Sequence, residues 1–143
     1  MLIKQLSIFV ENKSGRLARI TKLLGEKEIN ILALSIADTT DFGILRIIVT
    51  DADRAEEILK ESGLTIKATE VIGISVEHTP GGLSRVLSVL SDNQLDIEYM
   101  YAFVGNSKQD AMVIIKVTDN QRALSVFSEH NVKVITKEMV NNM

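Results

Sequence analysis

From Leu6 onward apolar and polar side chains alternate, with Leu6, Ile8 and Val10 on one side of the chain, the period of a half-covered strand that begins near Ile3. Asn12 to Gly15 carries turn chemistry, and Ser14 is a candidate helix cap. Leu17, Ile20, Leu23 and Leu24 then form an apolar stripe at helical spacing, which Gly25 and the charged run Glu26–Glu28 bring to an end. Ile29–Ala37 and Ile44–Thr50 read as strands around a turn at Asp38–Gly43. Asp53 and Glu56 have capping-box spacing and open a short helix with Ala55, Ile58 and Leu59 inward, closed by Ser62 and Gly63. Leu64–Val76 is one long β-favouring run, with Gly73 as its only punctuation and a candidate bend or bulge.

The pattern then repeats. IFVENKSGRLARITKLLGEKEINI (8–31) matches ISVEHTPGGLSRVLSVLSDNQLDI (74–97) position by position, pairing Glu11 with Glu77, Gly15 with Gly81, Leu17 with Leu83, Arg19 with Arg85 and Leu24 with Leu90. ILRIIVTDADRA (44–55) matches MVIIKVTDNQRA (112–123) after two extra residues, which predicts a longer turn around Gly105–Gln109. The second copy therefore predicts strands at Ile72–Val76, Leu95–Val104, Met112–Val117 and Val132–Val140, with helices at Leu83–Leu90 and Ala123–Phe127. The order β-α-β-β-α-β, met twice, gives an α+β fold: two tandem ferredoxin-like units, each a four-stranded antiparallel sheet with two helices on one face. The domains are placed at 1–70 and 71–143. The shared run Leu64–Val76 couples them without a flexible linker.

Composition narrows the function. The chain has 143 residues and a net charge of −3. Neither half holds the basic excess of a nucleic-acid footprint, since residues 1–70 carry ten basic and eleven acidic groups and the remainder six and eight. Cysteine is absent, which removes disulfides and thiolate chemistry. His78 and His130 are far apart in sequence and match no familiar metal-ligand spacing, so neither a metal nor a cofactor is expected. No nucleophile–base pair or cofactor fingerprint is legible, so the protein is not expected to be an enzyme. The N-terminus enters a strand pattern at once and no apolar run reaches membrane-spanning length; the expectation is a cytoplasmic protein without membrane contact.

Two loops are the candidate ligand site: Asn12, Ser14, Gly15, Arg16 and Leu17 in the first copy, and His78, Pro80, Gly81, Gly82 and Leu83 in the second. Glycine permits a sharp turn and close approach of a ligand to the main chain, and the free N–H groups at a helix start favour a carboxylate. The same loops also read as plain helix starts with a tight turn. Asn30 and Ile31, with Asp96 in the second copy, open the second strand of each repeat. Asn30 has an amide able to hold both ends of a zwitterion, and Asp96 has an acceptor for an ammonium group; as turn residues they need no ligand.

These residues resemble the ACT domain, a small regulatory module that binds amino acids. That family's pattern is a strand, a Pro-Gly loop with Leu two residues after the Gly, a helix and an Asn-Ile start to the second strand. The resemblance covers essentially the whole chain. Gly15 and Gly81 fall on the loop glycine, Leu17 and Leu83 follow, and Asn30 falls on the ligand-contacting asparagine. The chain departs from the pattern at Asn12 and His78, where aspartate is usual, at Ser14, where proline is usual, and at Asp96, which replaces asparagine. The resemblance implies an amino acid, expected to be an L-amino acid, bound at a domain–domain interface, and regulation of an enzyme that ACT domains usually have attached. With no catalytic domain in this sequence, the expectation is a free-standing module acting on a partner enzyme in amino-acid metabolism.

Tyr99, Tyr101 and Phe103 alternate along one strand, with Met100 on the other face. RNA-recognition domains share this topology and stack bases on strand aromatics, but the charge and the missing consensus speak against that reading here. The alternative to a ligand-binding module is a structural or interaction protein that assembles through its sheets, since open sheet edges invite a second copy and a homodimer.

Overall fold

The computed structural model describes residues 2–11, 13–38, 41–104 and 110–143. Its elements are β1 (Ile3–Glu11), α1 (Arg16–Glu26), β2 (Ile31–Asp38), β3 (Phe42–Val49), α2 (Ala52–Glu61), β4 (Thr65–Glu77), α3 (Gly82–Asp92), β5 (Ile97–Ala102), β6 (Asp110–Val117), α4 (Asn120–Glu129), β7 (Lys133–Ile135) and α5 (Lys137–Asn141). The chain divides into two compact units. One holds Lys4–Thr69 with Val140–Met143, and the other holds Leu2 and Ile3 with Glu70–Met139.

In the unit built on Lys4–Thr69, β3 lies between β1 and β2, antiparallel to both. Alternation along β1 turns Leu6, Ile8 and Val10 inward, where they meet Leu45, Ile47 and Val49 of β3. The apolar stripe of α1 adds Ile20 and Leu24, α2 adds Ala55 and Leu59, and Ile66 at the start of β4 packs against the same core. Both helices therefore cover one face of the sheet. Burying such a set of aliphatic side chains, each worth roughly 1.5–3 kcal/mol, is the main force that holds the helices down.

The unit built on Glu70–Met139 repeats this plan. Its strand order is β7-β4-β6-β5, with every neighbouring pair antiparallel. Ile72, Ile74 and Val76 face Val113, Ile115 and Val117, beneath Val86 and Leu90 of α3 and Ala123, Val126 and Phe127 of α4. The two-helix, antiparallel α+β plan expected from the repeat is the one observed.

Local details correct several expectations. Ser14 does not cap α1: Gly15 takes the N-cap position and no described side chain bonds there. The short helix α2 is capped by Asp51, whose carboxylate accepts from the Arg54 N–H at 3.3 Å, and Asp53 lies inside its first turn. Asp119 caps α4 in the same way through Arg122. Gly73 marks neither bend nor bulge; pairing with β6 runs through it without a shift. It is glycine because a Cβ there would come within 2.7 Å of Ile3 Cδ1 and 3.2 Å of Ile135 Cβ. The irregularities fall instead between Ile31 and Ala33 and between Ile97 and Tyr99, equivalent places in the two copies. The strand expected over Val132–Val140 stops at Ile135. The Thr136 hydroxyl accepts from the Met139 N–H at 3.2 Å and starts α5, which buries Val140. The longer turn expected around Gly105–Gln109 lies outside the described residues.

Candidate functional site

The two glycine loops take one conformation. Gly15 has φ +85° and Gly81 φ +83°, left-handed values at the N-caps of α1 and α3. Nothing would meet a Cβ at either position, so backbone conformation, not space, selects glycine. The Arg19 N–H bonds to the Gly15 carbonyl at 3.0 Å, and the Arg85 N–H to the Gly81 carbonyl at 3.1 Å. Neither helix takes a described side-chain cap, whereas α2 and α4 both do. The N-termini of α1 and α3 thus leave donors and positive dipole ends at the surface beside the loops.

The copies differ around that shared backbone. In the first, Glu11 accepts from Lys13 at 3.0 Å and from Arg16 at 3.5 Å. The Lys13 hydrogen bond, with the nearby Arg16 charge, holds the Glu11 carboxyl below its ordinary pKa. These three groups rim a cleft of roughly 290 Å³ whose apolar wall includes Leu17, Ile36 and Leu45. In the second copy Glu77 pairs with Arg85 at 2.6 Å. The counterpart of Arg16 is Gly82, which is buried, and a Cβ there would collide with the Glu77 carbonyl oxygen. A shallower groove of about 670 Å³ runs past Glu77, Gly82, Arg85, Asp92, His130 and Lys133.

The anticipated site residues are only partly brought together. Arg16 and Leu17 share the first-copy cleft with Glu11 and Lys13, which were not among the candidates. Ser14 and Gly15 form the exposed turn beside it, and Asn12 lies outside the described residues. Asn30 is exposed and does not line that cleft; its main chain donates to the Thr50 hydroxyl at 3.1 Å and accepts from the Thr50 N–H at 3.1 Å. Ile31 opens β2, half-buried against the core. In the second copy Gly82 lines the groove, while His78, Pro80, Gly81, Leu83 and Asp96 are exposed and outside its lining. Ile36 and Leu45 were not anticipated as cleft residues, because they come from strands remote in sequence from the loop. The period-two spacing of Leu45, Ile47 and Val49 is the signal that could have found Leu45.

Among the described residues, no three His, Cys, Asp or Glu side chains are close enough to hold a metal ion. No helix among them is long and apolar enough to cross a membrane.

The ACT domain pair model matches residues 1–143. The chain belongs to the ACT-domain-pair family. ACT modules are regulatory and non-catalytic, with amino acids as their general ligand class, so the chain is read as a tandem ACT protein and not as an enzyme. The crystal structure of protein BT0572 from Bacteroides thetaiotaomicron is similar over 100% of this chain and 98% of that one, at 42% identity and a TM-score of 0.93. The ligand-free regulatory subunit of aspartate kinase from Thermus thermophilus shares the fold, with a TM-score of 0.62 at 16% identity over 88% of this chain and 90% of that one. The acetolactate synthase small subunit of Haemophilus influenzae is 32% identical over 76 residues, which are 51% of this chain and 47% of that protein. The chain thus matches about half the length of that curated relative.

Proposed function

We propose that this tandem ACT protein binds a free L-amino acid through its glycine loops and the starts of β2 and β5, and that occupancy regulates a separate enzyme of amino-acid metabolism. The observation that carries the reading is the twice-built, side-chain-free N-terminus. α1 and α3 each start on a left-handed glycine with no described cap, while α2 and α4 are closed by aspartates. A carboxylate fits such donors, and an amino acid supplies one. Two ACT domains at 1–70 and 71–143, a cytoplasmic location and a homodimer complete the proposal. A regulated enzyme is supported by the names of similar proteins, a regulatory subunit of aspartate kinase and a small subunit of acetolactate synthase.

Calorimetry against the twenty L-amino acids tests the reading. A saturable signal that is lost with Gly15→Val or Gly81→Val supports it, and also shows which loop binds. Absence of heat with every amino acid overturns it. The assembly reading rests on β5, which among the described pairings bonds to β6 alone and carries the stacked rings of Tyr99 and Tyr101. If no amino acid binds and sedimentation shows a concentration-dependent dimer, assembly is the function that remains.

A further inference from the structure

Equivalent positions of the two copies share a backbone and differ in charge. In the first copy Arg16 stands on the opening turn of α1 and Lys13 in the loop, with Glu11 between them. In the second copy the same places hold Gly82 and Thr79, and the counterpart of Glu11, Glu77, is already closed onto Arg85 at 2.6 Å. A side chain at Gly82 that would restore the missing cation drives its Cβ into the Glu77 carbonyl, so the backbone must move to admit it. The second loop is therefore built without the cation that the first presents to its cleft.

We infer that the first copy alone is the ligand-binding copy, and that its cleft selects amino acids with an uncharged aliphatic side chain. This rests on the amino-acid reading above and assigns that function to one of the two loops. The cleft supplies each half of such a ligand. Arg16 and Lys13 provide two cations for the α-carboxylate, and Arg16, 37% exposed, has a planar fork suited to bidentate binding. Glu11 provides the acceptor for the α-ammonium group. Its contact with Arg16 is long, 3.5 Å, so the ligand carboxylate competes with it on favourable terms. Leu17, Ile36 and Leu45 form its apolar lining, with Leu17 and Ile36 about two-fifths exposed and ready to be covered. A cleft of roughly 290 Å³ has room for a whole amino acid, so the apolar lining and not the size of the space sets the preference. A charged ligand side chain would be laid on that wall without a partner.

The test is calorimetry on the full chain with the twenty L-amino acids, comparing wild type, Arg16→Met, Ile36→Thr and Arg85→Met. Methionine keeps helix propensity and removes only the cation. We expect valine, leucine and isoleucine to bind most tightly, with one site per chain. Arg16→Met should weaken them at least tenfold, Ile36→Thr should narrow the preference over alanine, and Arg85→Met should stay within twofold of wild type. Circular dichroism melts establish that each variant is folded. Two sites per chain, tightest binding of an acidic or basic amino acid, or loss in Arg85→Met with Arg16→Met unchanged would each overturn the inference and leave the amino-acid reading standing. No binding of any amino acid to wild type would remove both.

Discussion

The Arg54 guanidinium donates to the main-chain carbonyl of Lys27 at 3.0 Å. Lys27 is the C-cap of α1, so a side chain of the short helix closes the open end of the long one. The second copy repeats the bond with Arg122 and the carbonyl of Asn93, the C-cap of α3, at 2.6 Å. After each cap the chain turns through a left-handed residue, Glu28 at φ 59° and Gln94 at φ 58°, and heads into the second strand. A cation at a helix C-terminus also complements the dipole. Replacing Arg122 by Ala should cost about 1 kcal/mol, and Arg54→Ala a similar amount. Urea denaturation checks this; two unchanged midpoints would show that the bonds contribute nothing.

The paired glycines of the second loop are required for different reasons, which makes their substitutions separable. Gly81→Ala places a Cβ in open space but on a left-handed backbone, a cost of about 1–2 kcal/mol. Gly82→Ala drives a Cβ into the Glu77 carbonyl, and backbone must move. Its cost should be larger, about 2–3 kcal/mol, comparable to overpacking a core. Equal midpoints for the two variants in denaturant would refute the close approach of α3 to the end of β4.

Lys4 of β1 is held between Asp53 at 2.6 Å and Glu56 at 2.7 Å on α2, and Glu56 also meets Lys60 at 3.3 Å. The hydrogen bond from Lys4 pulls the Glu56 carboxyl below its ordinary value of 4.5. Bonds to Asp53 and then Glu56 raise the Lys4 ammonium above 10.5. A depressed carboxylate contributes stability above its unfolded pKa and loses it as pH falls through the folded value. A raised ammonium contributes below its unfolded pKa and loses it as pH climbs through the folded one. The network should therefore be fully effective between about pH 5 and pH 10. Lys4→Met should cost about 1 kcal/mol at pH 7 and little at pH 3. Thermal melts of wild type and variant across this range test the sign; a deficit that persists unchanged at pH 3 would assign the loss to packing instead.

The fold was legible because each core position was announced twice. Leu6 and Ile72, Leu24 and Leu90, Leu45 and Val113, Ala55 and Ala123, and Leu59 and Phe127 are repeat partners, and all are buried in their respective cores. Where one copy was ambiguous, the other supplied the period. The misreadings arose where a side-chain contact overrode local preference. Thr136 ended a strand-like run because its hydroxyl could start α5, and Gly73 looked like punctuation because Ile3 and Ile135, which demand it, are remote in sequence. Of the candidate cleft, only the loop residues Arg16 and Leu17 were legible. The walls came from tertiary structure, since Ile36 joins the Arg16 cleft through a strand twenty residues away.

Tyr99 and Tyr101 stand on β5 with ring centroids 6.4 Å apart and planes 19° from parallel. Met100, between them, packs into the core from the opposite face. The sequence holds two tyrosines and no tryptophan, so tyrosine emission reports on β5 alone. Stacking a nucleic-acid base on these rings would quench that emission, and base–aromatic stacking is worth about 1–3 kcal/mol per base. The neighbourhood does not support such binding. Lys116 is tied to Glu98 at 3.4 Å, and the chain carries a net charge of −3 where phosphate recognition needs a basic track. Titration with single-stranded oligonucleotides at low salt should therefore leave the emission unchanged apart from absorption by the added nucleic acid. Saturable quenching that weakens as salt is raised would make β5 a base-stacking platform and reopen the nucleic-acid reading.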